Sequence, residues 1–79
     1  MSPTIFRSGD LRFYFFSREE RRMHVHVESE RGDAKIWIEP RIEVTENHGL
    51  PATILTRALW EIRSHETQIR EAWRAHFGT

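Results

Sequence analysis

His24-Val25-His26-Val27-Glu28 is the stretch of sequence that decides the fold. Side chains alternate between the two sides of an extended strand, so Val25 and Val27 point to one side. His24, His26 and Glu28 point to the other. The stretch therefore predicts a β-strand with one apolar face for a core and one face that carries two imidazole groups.

The composition describes a small domain without cross-links. The chain has 79 residues, no cysteine, and twelve basic residues against twelve acidic ones. One domain over residues 1–79 is expected, burying only about 60–65% of the surface that the unfolded chain exposes. A protein dedicated to binding phosphate backbones is usually basic, so the balanced charge argues against general nucleic-acid binding. The absence of cysteine excludes disulfides and thiolate metal sites.

No segment of the sequence suits a membrane. No apolar run approaches the ~20 residues of a membrane-spanning helix, and the N-terminal residues lack the apolar core of a signal peptide. Together with the lack of cysteine, this predicts a cytoplasmic protein that has no membrane partner.

Alternating apolar residues and turn signals predict an antiparallel meander followed by a helix. Pro40 ends the third strand, because proline cannot donate to a sheet ladder, and Pro51 is a favoured first helical residue. The helix is long for so small a domain, so a bend near Ser64-His65 is expected. The predicted strands are residues 11–17, 23–28 and 34–39 with an edge strand at 42–45, and the predicted helix covers 51–76.

The turn at residues 30–33 sets the register of the second hairpin. Centring that hairpin on Arg31-Gly32 puts every apolar pair on one face. The pairs expected there are Glu28–Lys35, Val27–Ile36, His26–Trp37, Val25–Ile38 and His24–Glu39. In the first hairpin the expected pairs are Phe16–His24, Tyr14–His26 and Arg12–Glu28, with Leu11, Phe13 and Phe15 on the valine side.

The helix carries one apolar stripe that suits the valine side of the sheet. Its members are Leu55, Ala58, Leu59, Ile62, Ile69, Trp73 and Phe77. Trp60 lies on the opposite side of the helix. It is either packed under the N-terminal residues or exposed at a protein contact, and both interpretations stay open.

These elements predict an α+β fold: a three- to four-stranded antiparallel meander with a long, bent C-terminal helix on one face. The other side of the sheet is called the outer face below. Its predicted members are Arg12, Tyr14, Phe16, His24, His26, Glu28, Lys35, Trp37 and Glu39. Aromatic, basic and imidazole groups side by side indicate a surface on which something binds.

One hypothesis for the outer face is catalysis on a phosphodiester or another phosphorylated substrate. Two histidines ~7 Å apart on one strand can divide the roles of general base and general acid. Arg12 or Lys35 would stabilise charge on the phosphate, while Tyr14 or Trp37 would stack a base. The alternative is a packing interpretation, in which each histidine fills a half-buried polar position. The catalytic form is a small metal-independent ribonuclease-type enzyme that uses no cofactor.

A second hypothesis is zinc binding. His24 and His26 can reach one ion from alternate positions of a strand, with Glu28 or Glu39 as a third ligand. Two histidines without cysteine are a weak pattern for zinc binding. The sequence also contains no phosphate-binding glycine loop, nucleophile elbow or zinc-finger spacing.

A third hypothesis is a protein interface. Tyrosine, tryptophan and arginine are the residues enriched at interface hot spots, and the zero net charge fits this hypothesis best. The partner would be a second protein or another copy of the chain, with RNA as the alternative. Arg12, Tyr14, Phe16, Glu28, Lys35 and Trp37 are the candidate binding residues.

Several segments together resemble a small bacterial family catalogued as domain of unknown function 4160. The segments are Pro3-Thr4-Ile5, Arg12-Phe13-Tyr14-Phe15-Phe16-Ser17, His24-Val25-His26-Val27, Ala34-Lys35-Ile36-Trp37-Ile38, Asn47-x-Gly49-Leu50 and Trp73-x-x-x-Phe77. The resemblance implies a cytosolic bacterial protein of a two-gene, toxin–antitoxin-like module, with a partner encoded nearby. It carries no assigned catalytic residues. The family often has prolines just before the first histidine, where this chain has Arg22-Met23.

Overall fold

The computed structural model describes residues 4–16 and 21–78. Within these residues the chain forms an antiparallel sheet followed by two helices, which confirms the α+β class. The strands are β1 (Thr4–Ser8), β2 (Leu11–Tyr14), β3 (His24–Ser29), β4 (Gly32–Trp37) and β5 (Glu43–His48). The helices are α1 (Ala52–Ser64) and α2 (Glu66–Phe77). No helix among the described residues is long and apolar enough to cross a membrane.

The sheet is a simple meander in which each strand pairs with the next, in the order β1-β2-β3-β4-β5. The described residues thus form five strands, where three to four were expected. The additional strand is β1, which pairs with β2 through a two-residue turn at Gly9-Asp10. Arg57 of α1 holds this turn by donating to the carbonyl oxygen of Ser8 at 2.7 Å and to Asp10 at 3.2 Å.

The predicted register between β2 and β3 is confirmed. The predicted register between β3 and β4 is wrong by two residues. Tyr14 lies opposite His26, and Arg12 lies opposite Glu28, as expected. In the second hairpin His26 lies opposite Lys35 and not opposite Trp37. The other pairs there are His24–Trp37, Val25–Ile36, Val27–Ala34, Glu28–Asp33 and Ser29–Gly32. The loop is therefore Glu30-Arg31, and because the shift is an even number, each side chain keeps its predicted face.

The strand bounds also differ from the expected ones. β2 ends at Tyr14, so Phe16 does not pair with His24 in the ladder, and Ser17 lies outside the described residues. β5 runs over 43–48, so it begins one residue later and ends three residues later than the predicted edge strand. Backbone pairing between β3 and β4 nonetheless extends by one more hydrogen bond. The amide of Ile38, just after β4, donates to the carbonyl oxygen of Met23, just before β3, at 2.9 Å.

The predicted helix bends where expected, and the bend divides it into two helices. α1 ends at Ser64 and α2 begins at Glu66, with His65 between them in a non-helical conformation. His65 packs its ring on Phe6 of β1, with ring centroids 4.1 Å apart, and its Nδ1 lies 2.8 Å from the carbonyl oxygen of Glu61.

The core lies between the helices and the valine side of the sheet. Leu11, Phe13, Val25, Val27 and Ile36 are fully buried there. The helices contribute the predicted stripe: Ala58, Ile62, Ile69 and Trp73 are buried, while Leu55, Leu59 and Phe77 are half-buried against the core. Trp60 is 65% exposed, which resolves the two interpretations of that residue in favour of exposure.

Candidate functional site

The two histidines of β3 are buried, although the outer face was expected to be open. His24 has no exposed surface and His26 is 7% exposed. Aromatic rings surround His26: Tyr14 stacks on it with centroids 5.4 Å apart, and Phe16 lies 4.4 Å away at a tilt. The expectation of an open face is therefore wrong at the histidines, because neighbouring aromatic side chains fold over the imidazole rings.

His24 connects the sheet to the helices. Its Nδ1–H donates to the carbonyl oxygen of Arg22 at 2.6 Å, since a carbonyl can only accept. Its ring packs at right angles to Trp37 of β4, with centroids 5.6 Å apart, and contacts Trp73 of α2 at 5.3 Å. These contacts are those of a residue that orders its surroundings, as the packing interpretation requires.

Positive charges lie over the aromatic rings of the outer face. The guanidinium of Arg22 lies 4.0 Å from the ring centre of Trp37, and the ammonium of Lys35 lies 4.6 Å from the same ring. Arg12 lies 4.5 Å above Tyr14. These are cation–π distances, and they give the outer face three cations, each held against a ring.

Arg22 is the residue of this surface that sequence reasoning missed. It lies between the predicted strands at residues 11–17 and 23–28, and residues 17–20 before it lie outside the described residues. The signal that could have found it was parity: Arg22 precedes His24 by two positions, so the alternation of β3 carries it to the outer face.

The carboxylates of the outer face are held by arginines. Arg12 donates to Glu28 at 2.6 Å across the β2–β3 pair. Glu39 does not face His24, because of the register shift, and lies 3.3 Å from Arg70 of α2. The hydrogen bond from Arg70 to Glu66, at 2.9 Å, raises the pKa of Arg70, and the contact with Glu39 acts in the same direction.

These contacts leave the zinc hypothesis without a third ligand in the part of the chain that the structure describes. No three histidine, aspartate or glutamate side chains of residues 4–16 and 21–78 come together in a way that would hold a metal ion. Glu28 and Glu39, the two carboxylates proposed as third ligands, form ion pairs instead.

The catalytic hypothesis remains a prediction. The histidine rings are close, with centroids 5.1 Å apart, and Lys35 lies opposite His26 in the neighbouring strand. General acid–base catalysis, however, requires that the imidazole reach the proton that it transfers. The burial of both rings gives that role no support.

The outer face is accessible at its rim. Phe16 is 44% exposed, and Lys35 and Trp37 are half-buried. The glutamates of β5 extend this rim, since Glu46 lies opposite Lys35 and Glu43 lies opposite Trp37. The accessible surface is therefore a mixture of rings, cations and carboxylates above a buried histidine pair.

A family model described as a domain of unknown function (DUF4160) matches residues 11–74 of the chain. The match covers most of the sheet and both helices, including the two histidines and Trp37. The chain belongs to the DUF4160 family. The Thr4-Ile5 and Phe77 positions of the resemblance noted above lie outside the matched range. No curated protein and no solved structure matches the chain.

Proposed function

We propose that this DUF4160 protein is a binding module that uses the rim of its outer face to hold a partner protein in a bacterial toxin–antitoxin-like pair. The observation that carries the proposal is the row of cations held on aromatic rings, Arg12 on Tyr14 and both Arg22 and Lys35 on Trp37. Tryptophan, tyrosine and arginine dominate the energetics of protein interfaces. The two-gene context comes from the family resemblance.

Side chains fixed before binding lower the cost of association. Ordering a long side chain at an interface costs about 0.5–1.5 kcal/mol. Arg22 is held on Trp37 and also donates from Nε to the carbonyl oxygen of Glu39 at 2.7 Å. Arg12 is held by both Tyr14 and Glu28. A surface prepared in this way suits a partner of defined shape.

The same contacts favour protein over RNA as the partner. A single-stranded nucleic acid binds to a sheet by stacking its bases on exposed ring faces. Here the faces of Trp37 and Tyr14 carry Arg22, Lys35 and Arg12, so a base would first have to displace a cation. The balanced net charge of the chain points the same way.

The test compares two exposed aromatic residues on opposite sides of the molecule. Phe16 is 44% exposed at the outer face, and Trp60 is 65% exposed on α1. The tagged protein is coexpressed with the product of the adjacent gene, and the complex is measured by size-exclusion chromatography with light scattering. We expect the Phe16→Ala/Lys35→Ala variant to lose the complex, while Trp60→Ala, the matched control, retains it.

Circular dichroism spectra of both variants establish that each is folded. Loss of the complex on Trp60→Ala but not on Phe16→Ala/Lys35→Ala would move the interface to the helices and overturn the proposal. Retention of RNA in place of a protein, removed by the same outer-face variant, would establish the RNA alternative.

A further inference from the structure

A basic pocket lies at the end of the sheet where α2 crosses the start of β3. Among the described residues it is lined by Arg21, Arg22, Met23, Glu39, Trp73 and Arg74, and its volume is about 350 Å³. It is called the arginine pocket below. Three arginines from two separate segments of the chain line it, which neither the alternation of the strand nor the apolar stripe of the helix indicates.

The charge of the described residues that line the arginine pocket is not balanced. Three arginines and one glutamate among them give a net charge of +2. Glu39, the one carboxylate, is already engaged by Arg70 at 3.3 Å. Arg21 and Arg74 form no ion pair or hydrogen bond with another side chain in the part of the chain that the structure describes. Within residues 4–16 and 21–78, an anion in the pocket would therefore meet two arginines that no carboxylate engages.

Arg22 supplies a fixed wall. Its Nε donates to the carbonyl oxygen of Glu39, and its guanidinium plane rests on Trp37 at 4.0 Å. A guanidinium held at one nitrogen keeps its other N–H groups for a second acceptor, because arginine has five donors in a rigid fork. Arginine forks match the oxygens of phosphate and carboxylate groups.

We infer that the arginine pocket binds the phosphate group of a small phosphate monoester. A phosphate monoester carries a charge of about −1.5 to −2 at pH 7, which matches the +2 of the lining residues. A carboxylate, with its single charge, would neutralise only half of it. Met23 and Trp73, which are 9% and 2% exposed, form a buried apolar base beside the arginines.

The arginine pocket adjoins the rim that the proposed function uses, and Arg22 belongs to both. Phe16 and Lys35 do not line it, whereas Arg21 and Arg74 line it and take no part in the cation–aromatic row of the outer face. Variants at Arg74, which only the pocket contains, and at Phe16 and Lys35, which only the rim contains, therefore test the two proposals separately.

The experiment is a titration followed by NMR on the full-length protein. The probes are inorganic phosphate, adenosine 5′-monophosphate as the organic monoester, and acetate as the carboxylate control. We expect saturable shifts of the backbone amides of residues 21–23 and of the Trp73 indole N–H with both phosphates. Tighter binding of the nucleotide would assign the organic part to the pocket, while equal affinities would show that the phosphate alone is recognised.

The matched variants are Arg74→Gln and Arg63→Gln. Both arginines are exposed and lie in the last turn of a helix, but Arg63 belongs to α1 and does not line the pocket. We expect Arg74→Gln to weaken phosphate binding about tenfold or more, because it removes charge-assisted hydrogen bonds. Arg63→Gln should leave the affinity unchanged.

Three results would overturn the inference. The first is the absence of saturable shifts with either phosphate. The second is an equal response to acetate, which would mean that the pocket does not select a dianion. The third is an equal loss of affinity in Arg74→Gln and Arg63→Gln, which would show a general response to lost positive charge.

Discussion

At the scale of single residues, His24 holds the two layers of the molecule together. It belongs to the outer side of β3 by parity, yet it touches Trp73, which α2 contributes to the core. Its other neighbours are Trp37 and the carbonyl oxygen of Arg22. A side chain with contacts to a neighbouring strand, to a helix and to the segment before its own strand contributes to stability in the way that a core residue does.

Replacing His24 with alanine should destabilise the fold by about 2–4 kcal/mol, because it leaves a cavity among aromatic rings and removes a buried hydrogen bond. Phe16→Ala, on the same face but 44% exposed, should cost about 1 kcal/mol or less. Urea unfolding followed by circular dichroism measures both changes. Equal stabilities for His24→Ala and the unmodified protein would show that His24 does not contribute to packing. The catalytic hypothesis would then be the better explanation of this histidine.

The residues of the outer face could be predicted from sequence, but their burial could not. Strict alternation in β3 assigned His24, His26 and Glu28 to one side, and the structure agrees. Whether an imidazole is exposed depends on which rings fold over it. For His26 those rings come from Tyr14 and Phe16, and for His24 one comes from Trp73, in the last helix of the chain. No local pattern contains that information.

At the scale of elements, the second hairpin shows what a turn signal leaves undetermined. Gly32 was expected inside the turn, but it is the first residue of β4, and the loop is Glu30-Arg31. The reason lies in another strand: a Cβ atom on Gly32 would overlap the carbonyl oxygen of His48 at the end of β5. The glycine permits the close approach of two backbones, a role that is not visible in the hairpin sequence itself.

Gly32→Ala should therefore destabilise the fold more than the same substitution at a glycine that has open space around it. A Cβ at Gly32 also meets the backbone of Gly49 at 2.9 Å, so the backbone must move, at a cost of about 2–3 kcal/mol. Gly78, after α2, has φ +76°, and a Cβ there would meet nothing within 4 Å, so Gly78→Ala should cost only about 1 kcal/mol of left-handed backbone strain. Thermal unfolding of the two variants measures the difference, and a smaller loss at Gly32 than at Gly78 would contradict it.

The remaining elements were predictable to different extents. The bend at His65 followed from helix length alone, since an unbroken helix over residues 51–76 would overshoot a sheet of this size. β1 was missed because a strand of five residues carries a short alternation, and its pairing depends on partners elsewhere. Phe6 of β1 stacks on Phe13 at 4.3 Å and on His65 at 4.1 Å, so its place is set by a ring in β2 and a ring at the helix junction.

At the scale of the whole molecule, the two sides of the sheet are linked through aromatic contacts. Trp37 of the outer face contacts His24, His24 contacts Trp73, and Trp73 packs on Phe15 at 5.3 Å and on Phe77 at 4.3 Å. A chain of 79 residues has a thin core, and rings that cross from one side to the other extend it. We therefore expect the outer face to unfold together with the core.

This linkage predicts that the two tryptophans unfold together. In a Trp60→Phe variant the remaining indoles are Trp37 on the outer face and Trp73 in the core. Because Trp60 is 65% exposed, replacing it should not alter the free energy of unfolding by more than about 0.5 kcal/mol. Urea unfolding followed by tryptophan fluorescence should coincide with the far-ultraviolet circular dichroism transition, as two-state behaviour requires. A fluorescence midpoint at lower urea than the circular dichroism midpoint would mean that the outer face opens first. In that case the histidines become accessible in a partly open state, and their chemistry has to be assayed there.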